Sequence, residues 1–155
     1  MPTIAELGRK VDTRSVIIRG KAFEVRRLSV AQTDAVRRSV PLPVPPVGYD
    51  RTKGSSAPAV LDYEDPRYRR DVASRERRVS LVEACVALGL ELEVNAQPLP
   101  VPGVVESEAK WAAYAEAAWN AVAVGGLLYD DEINAIHEAL ADVTPDTMLA
   151  TAEGN

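Results

Sequence analysis

The chain has 155 residues, of which 46% are apolar and 26% are charged, the ordinary composition of a folded globular protein. This length supports one hydrophobic core, so we expect residues 1–155 to form a single domain. The single cysteine, Cys85, excludes an internal disulfide and a cysteine-rich metal site. Because the sequence has neither a long apolar run nor a secretory leader, we expect a cytoplasmic protein with no membrane partner.

The formal net charge of −5 conceals two halves of opposite sign. Residues 1–80 carry 17 Arg and Lys against 10 Asp and Glu, whereas residues 81–155 carry one Lys against 13 acids. Such halves can hold one fold together, orient copies of the chain head to tail, or present the basic half to an acidic partner. Nucleic acid is the less favoured partner, because acids interrupt the arginines and no set of stacking aromatic side chains accompanies them.

The first predicted element is a β-hairpin over residues 14–28. β-branched and aromatic residues occupy both arms of the stretch "RSVIIRGKAFEVRRL", and Gly20 and Lys21 lie at the reversal. A two-stranded hairpin is marginally stable alone in water, so we expect this one to pack on helices or to pair with a neighbouring chain.

Four helices follow the hairpin, and capping residues mark their predicted ends. Ser29 and Gln32 form a capping box at the start of the first helix. Asp65 caps the second helix, and Gly89 stands where a C-terminal glycine belongs. The predicted helices cover residues 29–40, 66–88, 107–124 and 130–141.

Two segments rich in helix-breaking residues separate these helices. Residues 41–65 contain five prolines, and a second proline-bearing connector covers residues 90–106. We expect both segments to be mobile loops. The sequence therefore predicts a mainly α fold, a small domain of four main helices with an N-terminal β-hairpin and proline-rich loops.

Residue types that carry catalysis at neutral pH are scarce. His137 is the only histidine, and because no nucleophile motif surrounds it in the sequence we expect a surface or boundary position. Cys85 falls on an apolar helix stripe, which predicts a packed thiol. Three acids, Asp130, Asp131 and Glu132, begin a helix, where the helix dipole accounts for them without a metal ion. We therefore expect no enzymatic activity, no cofactor and no metal site.

Two sets of side chains are candidates for contact with a protein partner. The stretch "RYRRDVASRERR" contains six arginines, which indicate either a solvated helix face or a docking surface. The alanine-rich third helix carries aromatic side chains that can anchor a partner, although core positions are also expected for both tryptophans. The outer edge of the hairpin can in addition accept a strand. The candidate partner contacts are Arg69, Arg70, Arg75, Arg77, Arg78, Trp111, Tyr114 and Trp119.

The order of the predicted elements is the most informative feature of the sequence. The hairpin "VIIRGKAFEVRRLS" precedes a capped helix, a proline-rich break, the helix "DPRYRRDVASRERR" that becomes apolar in "SLVEACVALGL", and the closing "LLYDDEINAIHEAL". This order resembles that of the tail assembly chaperones of long-tailed bacteriophages, the Caudoviricetes. In that family a phrase like "vRpLs" follows the hairpin, matched here by residues 25–29, and an L-x-x-x-E-I helix is matched by residues 128–133.

The resemblance covers most of residues 14–141 and implies a non-enzymatic function in viral morphogenesis. Such chaperones bind the tape measure protein, keep it soluble, and help to recruit the tail tube protein before they are released. The resemblance thus implies a protein of the host cytoplasm that is absent from the mature virion. Self-association into a homo-oligomer would follow from the two oppositely charged halves.

Other classes of protein remain open. The main alternative is a small structural virion protein, such as a head–tail connector or a tail terminator, which would be present in purified particles. A nucleic-acid-binding regulator or antitoxin, acting through the arginine-rich helix, is less favoured and predicts salt-dependent DNA binding. An enzyme is the least favoured class.

A programmed frameshift is a prediction that the gene sequence can test. Many of these chaperones are made in two lengths, and Glu153, Gly154 and Asn155 can be encoded as GAG GGA AAC, which contains the slippery heptamer G GGA AAC. We expect these codons, an overlapping downstream frame and, beyond it, a very long tape-measure-like frame. Sequencing of the gene checks this, and other codons without an overlapping frame would remove the hypothesis.

Overall fold

The structure is a computed structural model that describes residues 13–49 and 59–141. Within these residues it contains six strands: β1 Thr13–Ile18, β2 Lys21–Arg26, β3 Val47–Tyr49, β4 Ala59–Leu61, β5 Leu92–Val94 and β6 Gln97–Leu99. The helices are α1 Val30–Ser39, α2 Pro66–Leu88, α3 Glu108–Trp119 and α4 Asp130–Ala141, and a π-helical turn, Asn120–Val124, continues α3. The architecture is mainly α, as the sequence predicts. The frameshift hypothesis concerns residues 153–155, which lie outside the described residues.

The helices begin and end at capping residues. The Ser29 hydroxyl accepts the backbone N–H of Gln32 at 3.1 Å, and the Ser29 N–H donates to the Gln32 side chain at 2.9 Å, so the capping box at α1 is complete. The Asp65 carboxylate accepts the N–H of Arg67 at 2.8 Å at the start of α2. Gly89 ends α2 with a φ of 63°, a conformation that glycine adopts without strain.

The hydrophobic core is centred on the C-terminal half of α2. Residues 79–87 of this helix are buried except for Ser80 and Glu83, which are half-buried. All four helices and the first hairpin contribute to the same cluster of apolar side chains. The other elements bring to it Val16, Ile18, Val25, Val36, Trp111, Tyr114, Ala118, Ile133 and Ile136.

Strands β1 and β2 form an antiparallel pair that lies on α2 and α4. Arg19 and Gly20 make the turn, and both have positive φ angles, 53° and 77°, as a two-residue type I′ turn requires. One face of the pair turns Val16, Ile18 and Val25 into the core. The hairpin is therefore supported by helices, which a two-stranded sheet needs in water.

Arg19 fixes the tip of this hairpin to the start of α4. Its Nε and Nη2 donate to the two carboxylate oxygens of Glu132 at 3.0 Å each, and Nη2 also donates to the carbonyl oxygen of Leu127 at 2.9 Å. The guanidinium lies 5.0 Å from the centre of the Tyr129 ring. The backbone N–H of Tyr129 and the guanidinium of Arg19 both favour the ionised carboxylate, and they lower the pKa of Glu132.

Short strands lie inside both segments that the sequence predicts as loops. In residues 90–106, β5 pairs with β6 through a turn at Asn95 and Ala96, whose φ angles are 51° and 63°. Two side chains of α3 hold this segment: the Tyr114 hydroxyl donates to the carbonyl oxygen of Leu90 at 2.8 Å, and the Trp111 indole donates to that of Gly103 at 3.1 Å. In residues 41–65, β3 pairs with β4, and residues 50–58 lie outside the described residues.

The third helix also differs from its prediction, because its regular α-helical part ends at Trp119 instead of residue 124. In the π-helical turn the N–H of Gly125 donates to the carbonyl oxygen of Asn120, five residues earlier, at 2.9 Å. A Cβ atom at Gly125 would lie 2.7 Å from the carbonyl oxygen of Ala121. Glycine at this position therefore permits the wider turn.

The contact between Arg19 and Glu132 predicts a specific dependence of stability on pH. Because folding lowers the pKa of Glu132 below its ordinary value of 4.5, its contribution is complete above that pH and is lost as the pH falls through the folded-state value. We expect Glu132→Gln to unfold more easily than the wild type at about pH 7 and to approach it at about pH 3. Urea denaturation across this range measures the difference.

Glu138→Gln is the control for this experiment, because it removes a carboxylate from α4 without touching Arg19. A difference between wild type and Glu132→Gln that stays constant across the pH range would contradict the assignment.

Candidate protein-interaction surface

A part of the chain that we call the arm projects from the core. It comprises residues 41–49 and 59–74: the proline-rich segment, strands β3 and β4, and the first nine residues of α2. Of the arm side chains that the structure describes, Pro45 alone is buried. Strands β3 and β4 make their close contacts with each other and lack the extensive packing on helices that supports the first hairpin. The arm is thus a folded surface without a core of its own.

Large apolar side chains are exposed along the arm. Leu42 and Val44 are 73% and 79% exposed, and the cross-strand neighbours Val47 and Leu61 are also open to solvent. Large exposed apolar side chains grouped in one segment favour contact with another molecule. The exposed set is Leu42, Val44, Val47, Val60, Leu61 and Tyr63.

Local contacts hold the shape of the arm. The Asp62 N–H donates to the carbonyl oxygen of Pro46 at 2.8 Å. The rings of Tyr63 and Tyr68 meet edge to face, with centres 5.7 Å apart. Arg69 forms an ion pair with Glu64, which joins the helix to the strand segment. These contacts give the arm a defined conformation, in which exposed arginines and exposed acids accompany the apolar side chains.

The five candidate arginines have different surroundings. Arg69 and Arg70 lie on the arm and are exposed, as is Arg67. Arg77 forms an ion pair with Asp130 at 2.6 Å, between α2 and α4. Arg78 lies 4.2 Å above the ring of Trp119, between α2 and α3. Arg77 and Arg78 therefore join elements of the fold while they remain exposed, and their contact with a partner stays a prediction.

Arg75 is the arginine that departs furthest from the prediction. Only 11% of its side chain is exposed. It donates to the carbonyl oxygens of Arg37 at 2.8 Å and of Val40 at 3.3 Å, at the end of α1. The last carbonyls of a helix have no partner within it, so Arg75 satisfies groups that would otherwise remain unpaired. Its function is structural, and it is not available to a partner.

The aromatic candidates lie mainly inside the protein. Trp111 and Tyr114 are buried in the core, and their polar atoms bond to Gly103 and Leu90. They cannot contact a partner in this conformation, so the structure corrects that prediction and places Trp111 in the alternative core position. Trp119 is half-buried beneath Arg78.

His137 has a neighbour that sequence reasoning missed. Its Nε2 lies 2.9 Å from the Ser80 hydroxyl and 2.8 Å from the Ser80 carbonyl oxygen, although the two residues are 57 positions apart. A carbonyl oxygen only accepts hydrogen bonds, so Nε2 carries the proton in this contact and cannot remove one from the hydroxyl. The pair therefore joins α4 to α2 and lacks the arrangement of a nucleophile and its base.

The thiol of Cys85 is also poorly placed for nucleophilic chemistry. Cys85 is buried, and burial raises the pKa of its thiol to about 12, so it stays protonated at neutral pH. Over the described ranges, no cluster of three or more His, Cys, Asp or Glu side chains is placed to hold a metal ion. Contact with another macromolecule is the chemistry that the described surface offers most clearly.

A groove lies just beyond the C-terminal end of α2, and we call it the acidic groove. It has a volume of about 470 Å³ and lies between the β5–β6 hairpin and the end of α3. Its lining consists of two carboxylates, Glu91 and Glu93, and apolar side chains, and neither Lys nor Arg lines it. Val94 and Val124 add exposed apolar surface near these elements.

The first hairpin leaves a further surface open. In the part of the chain that the structure describes, β1 and β2 pair only with each other, so each keeps one unpaired edge. A groove of about 530 Å³ under the hairpin tip contains Phe23, Leu88 and Leu90. The large apolar side chains exposed on this hairpin are Ile17 and Phe23, fewer than on the arm.

Comparisons with known proteins give no relative from which a site could be transferred. Neither family models, nor curated proteins, nor solved structures match this chain. Among the described helices, none has an apolar stretch of the length that a membrane crossing needs. The arm and the acidic groove are therefore interpreted from their own geometry and charge.

The contrast between Arg75 and Arg70 predicts different effects on stability. Arg75→Ala leaves carbonyl oxygens at the end of α1 without a partner, and we expect a loss of about 1–3 kcal/mol in the free energy of unfolding. Arg70→Ala removes an exposed side chain of the same helix and should change that free energy by less than about 0.5 kcal/mol. Chemical denaturation measures both values, and equal losses would contradict the capping function of Arg75.

Proposed function

We propose that the protein is a phage tail assembly chaperone that binds the tape measure protein and helps to recruit tail tube subunits during tail morphogenesis. In this proposal it acts in the host cytoplasm without catalysis and is absent from the mature virion. The exposed apolar arm is the observation that carries the proposal, and the order of the sequence motifs supports it. The arm is the surface that would hold the client.

The chemistry of the arm suits a helix-rich apolar client. An amphipathic client helix can cover Leu42, Val44 and Leu61 and remove their apolar surface from water, which favours binding by roughly 25 cal/mol per Å². The neighbouring Arg67 and Arg70 can meet acidic side chains at the edge of that helix. Such exposed charge pairs are individually weak and sensitive to salt. A contact of this strength is reversible, as a chaperone that leaves the assembled tail requires.

The proline-rich segment has a specific function within this proposal. Proline has no backbone N–H, so residues 41–46 cannot extend a sheet by regular pairing. An exposed apolar strand without such protection would promote aggregation between copies. The prolines therefore keep the apolar side chains available while limiting uncontrolled strand addition.

The N-terminal hairpin supports the arm indirectly in this interpretation. It covers one side of the buried half of α2, through contacts of β2 with that helix, and Arg19 ties its tip to α4. Because these contacts hold the C-terminal half of α2 in place, its N-terminal half can extend away from the core. The hairpin thus supports the fold, and the proline-rich segment provides the open binding surface.

The alternatives differ from this proposal in what they require of the surface. A head–tail connector or tail terminator would use the same charged, apolar surface for permanent contacts, and it would remain in the particle. A nucleic-acid-binding regulator would need a continuous basic face. Arg75, Arg77 and Arg78 are engaged with other elements of the fold, which disfavours such a face.

Co-expression with the tape measure protein of the same phage tests the client contact. We expect the wild type to keep this client in the soluble fraction. The double variant Leu42→Asn and Val44→Asn should weaken binding about tenfold or more, because each substitution removes roughly 1 kcal/mol of apolar burial. The measurements are the amount of client in the soluble fraction and the amount that co-purifies with the protein.

The matched control is the double variant Val30→Asn and Val105→Asn, which changes two side chains that are 88% and 94% exposed outside the arm. It should retain client binding. Equal loss in both variants, or no loss in the arm variant, would count against the arm as the client site. Mass spectrometry of purified particles separates the functions, since a connector or terminator would be present in stoichiometric amount.

A further inference from the structure

A seven-residue segment occurs twice in the chain. Residues 41–47 read "PLPVPPV" and residues 98–104 read "PLPVPGV", so the two differ only where Pro46 corresponds to Gly103. We call residues 41–47 the outer segment and residues 98–104 the inner segment. Proline holds its own φ at about −65° and restricts the residue before it to extended conformations. The shared prolines therefore favour the same extended backbone in both segments.

The inner segment turns its leucine and its valine toward the protein. Leu99 and Val101 are half-buried and pack against the hydrophobic core. The carbonyl oxygen of Gly103 accepts two hydrogen bonds, one from the backbone N–H of Glu106 at 3.0 Å and one from the indole of Trp111 at 3.1 Å. The inner segment thus meets an apolar surface and an indole donor that α3 supplies.

The outer segment turns the corresponding side chains away from the protein. Pro45 is buried, whereas Leu42 and Val44 are exposed. From the described residues, the carbonyl oxygen of Pro46 accepts one hydrogen bond, from the N–H of Asp62 at 2.8 Å. A carbonyl oxygen has two lone pairs, and the equivalent oxygen of the inner segment uses both. The outer segment therefore offers the same side chains and the same acceptor without the surface that covers them in the inner segment.

We propose that the outer segment binds a partner helix that carries a tryptophan. The helix covers Leu42 and Val44 with apolar side chains, and its indole donates to the carbonyl oxygen of Pro46. A partner strand fits less well, because alternate prolines deprive the segment of the N–H groups that a ladder requires. The partner is a different chain, since Trp111 is 2% exposed and already donates to the inner segment of its own molecule.

The composition of α3 indicates what else the partner helix needs. Besides Trp111 and Tyr114, the buried residues of α3 are three alanines. Small side chains around a large aromatic one let an extended segment approach the helix closely. We therefore expect a tryptophan among small apolar residues on the binding face. If the partner is the tape measure protein, which rests on the function proposed above, this is the kind of helix through which it binds.

A peptide with the sequence of residues 107–118 is the probe, because it reproduces α3 with a single tryptophan. An isolated helix of this length is marginal in water. A side-chain cross-link between peptide positions 109 and 113, both exposed in the fold, holds it helical. Fluorescence anisotropy of the labelled peptide should show saturable binding to the full-length protein.

Changes on each side of the contact should weaken this binding. The double variant Leu42→Asn and Val44→Asn should bind the peptide about tenfold or more weakly, because the apolar burial is lost. The peptide change Trp111→Phe keeps an aromatic ring and removes the indole N–H, so it should weaken binding to the wild-type protein about fivefold. The second measurement uses unaltered protein and is independent of how well the variant folds.

The double variant Val30→Asn and Val105→Asn is the matched control and should bind the peptide like the wild type, since both side chains are exposed outside the outer segment. A wild type that does not bind the peptide would overturn the proposal. Equal binding by the wild type and the Leu42 and Val44 variant would overturn the outer segment as the site. Equal binding of the two peptides would overturn the hydrogen bond from the indole.

The peptide also separates this inference from the function proposed above. Peptide binding at the outer segment by a protein that does not keep the tape measure protein soluble would overturn only the proposed function. A protein that holds this client and does not bind the peptide would overturn only the tryptophan-bearing helix as the recognised element.

Discussion

The unequal burial of α2 is the constraint on which the rest of the structure depends. Residues 79–87 form the surface on which the first hairpin, α1, α3 and α4 pack, whereas residues 66–74 contain no fully buried side chain. An isolated helix of nine residues is marginal in water. The exposed turns therefore depend on continuity with the buried turns, and this continuity lets the protein present an apolar arm that has no core of its own.

Much of the fold was predictable because its signals are local. Ser29 with Gln32 and Gly89 mark helix ends through contacts within a few residues of each other. The turn at Asn95 and Ala96 was not predictable in this way, because alanine rarely adopts the positive φ that it has here. The α3 side chains donate hydrogen bonds to residues that flank this hairpin, Leu90 and Gly103, and the geometry of these bonds is set only when the helices pack.

The residue types of the candidate site could be predicted from the sequence, but the neighbours of each side chain in the fold could not. The arginine run was visible in the sequence, but helical periodicity does not show which neighbour each side chain meets. Arg75 turns toward the end of α1, and Arg77 toward the start of α4. The exposure of Leu42 and Val44 was not predicted, because they lie in a segment that the sequence predicts as a loop. Burial is a tertiary property, so these assignments required the packed structure.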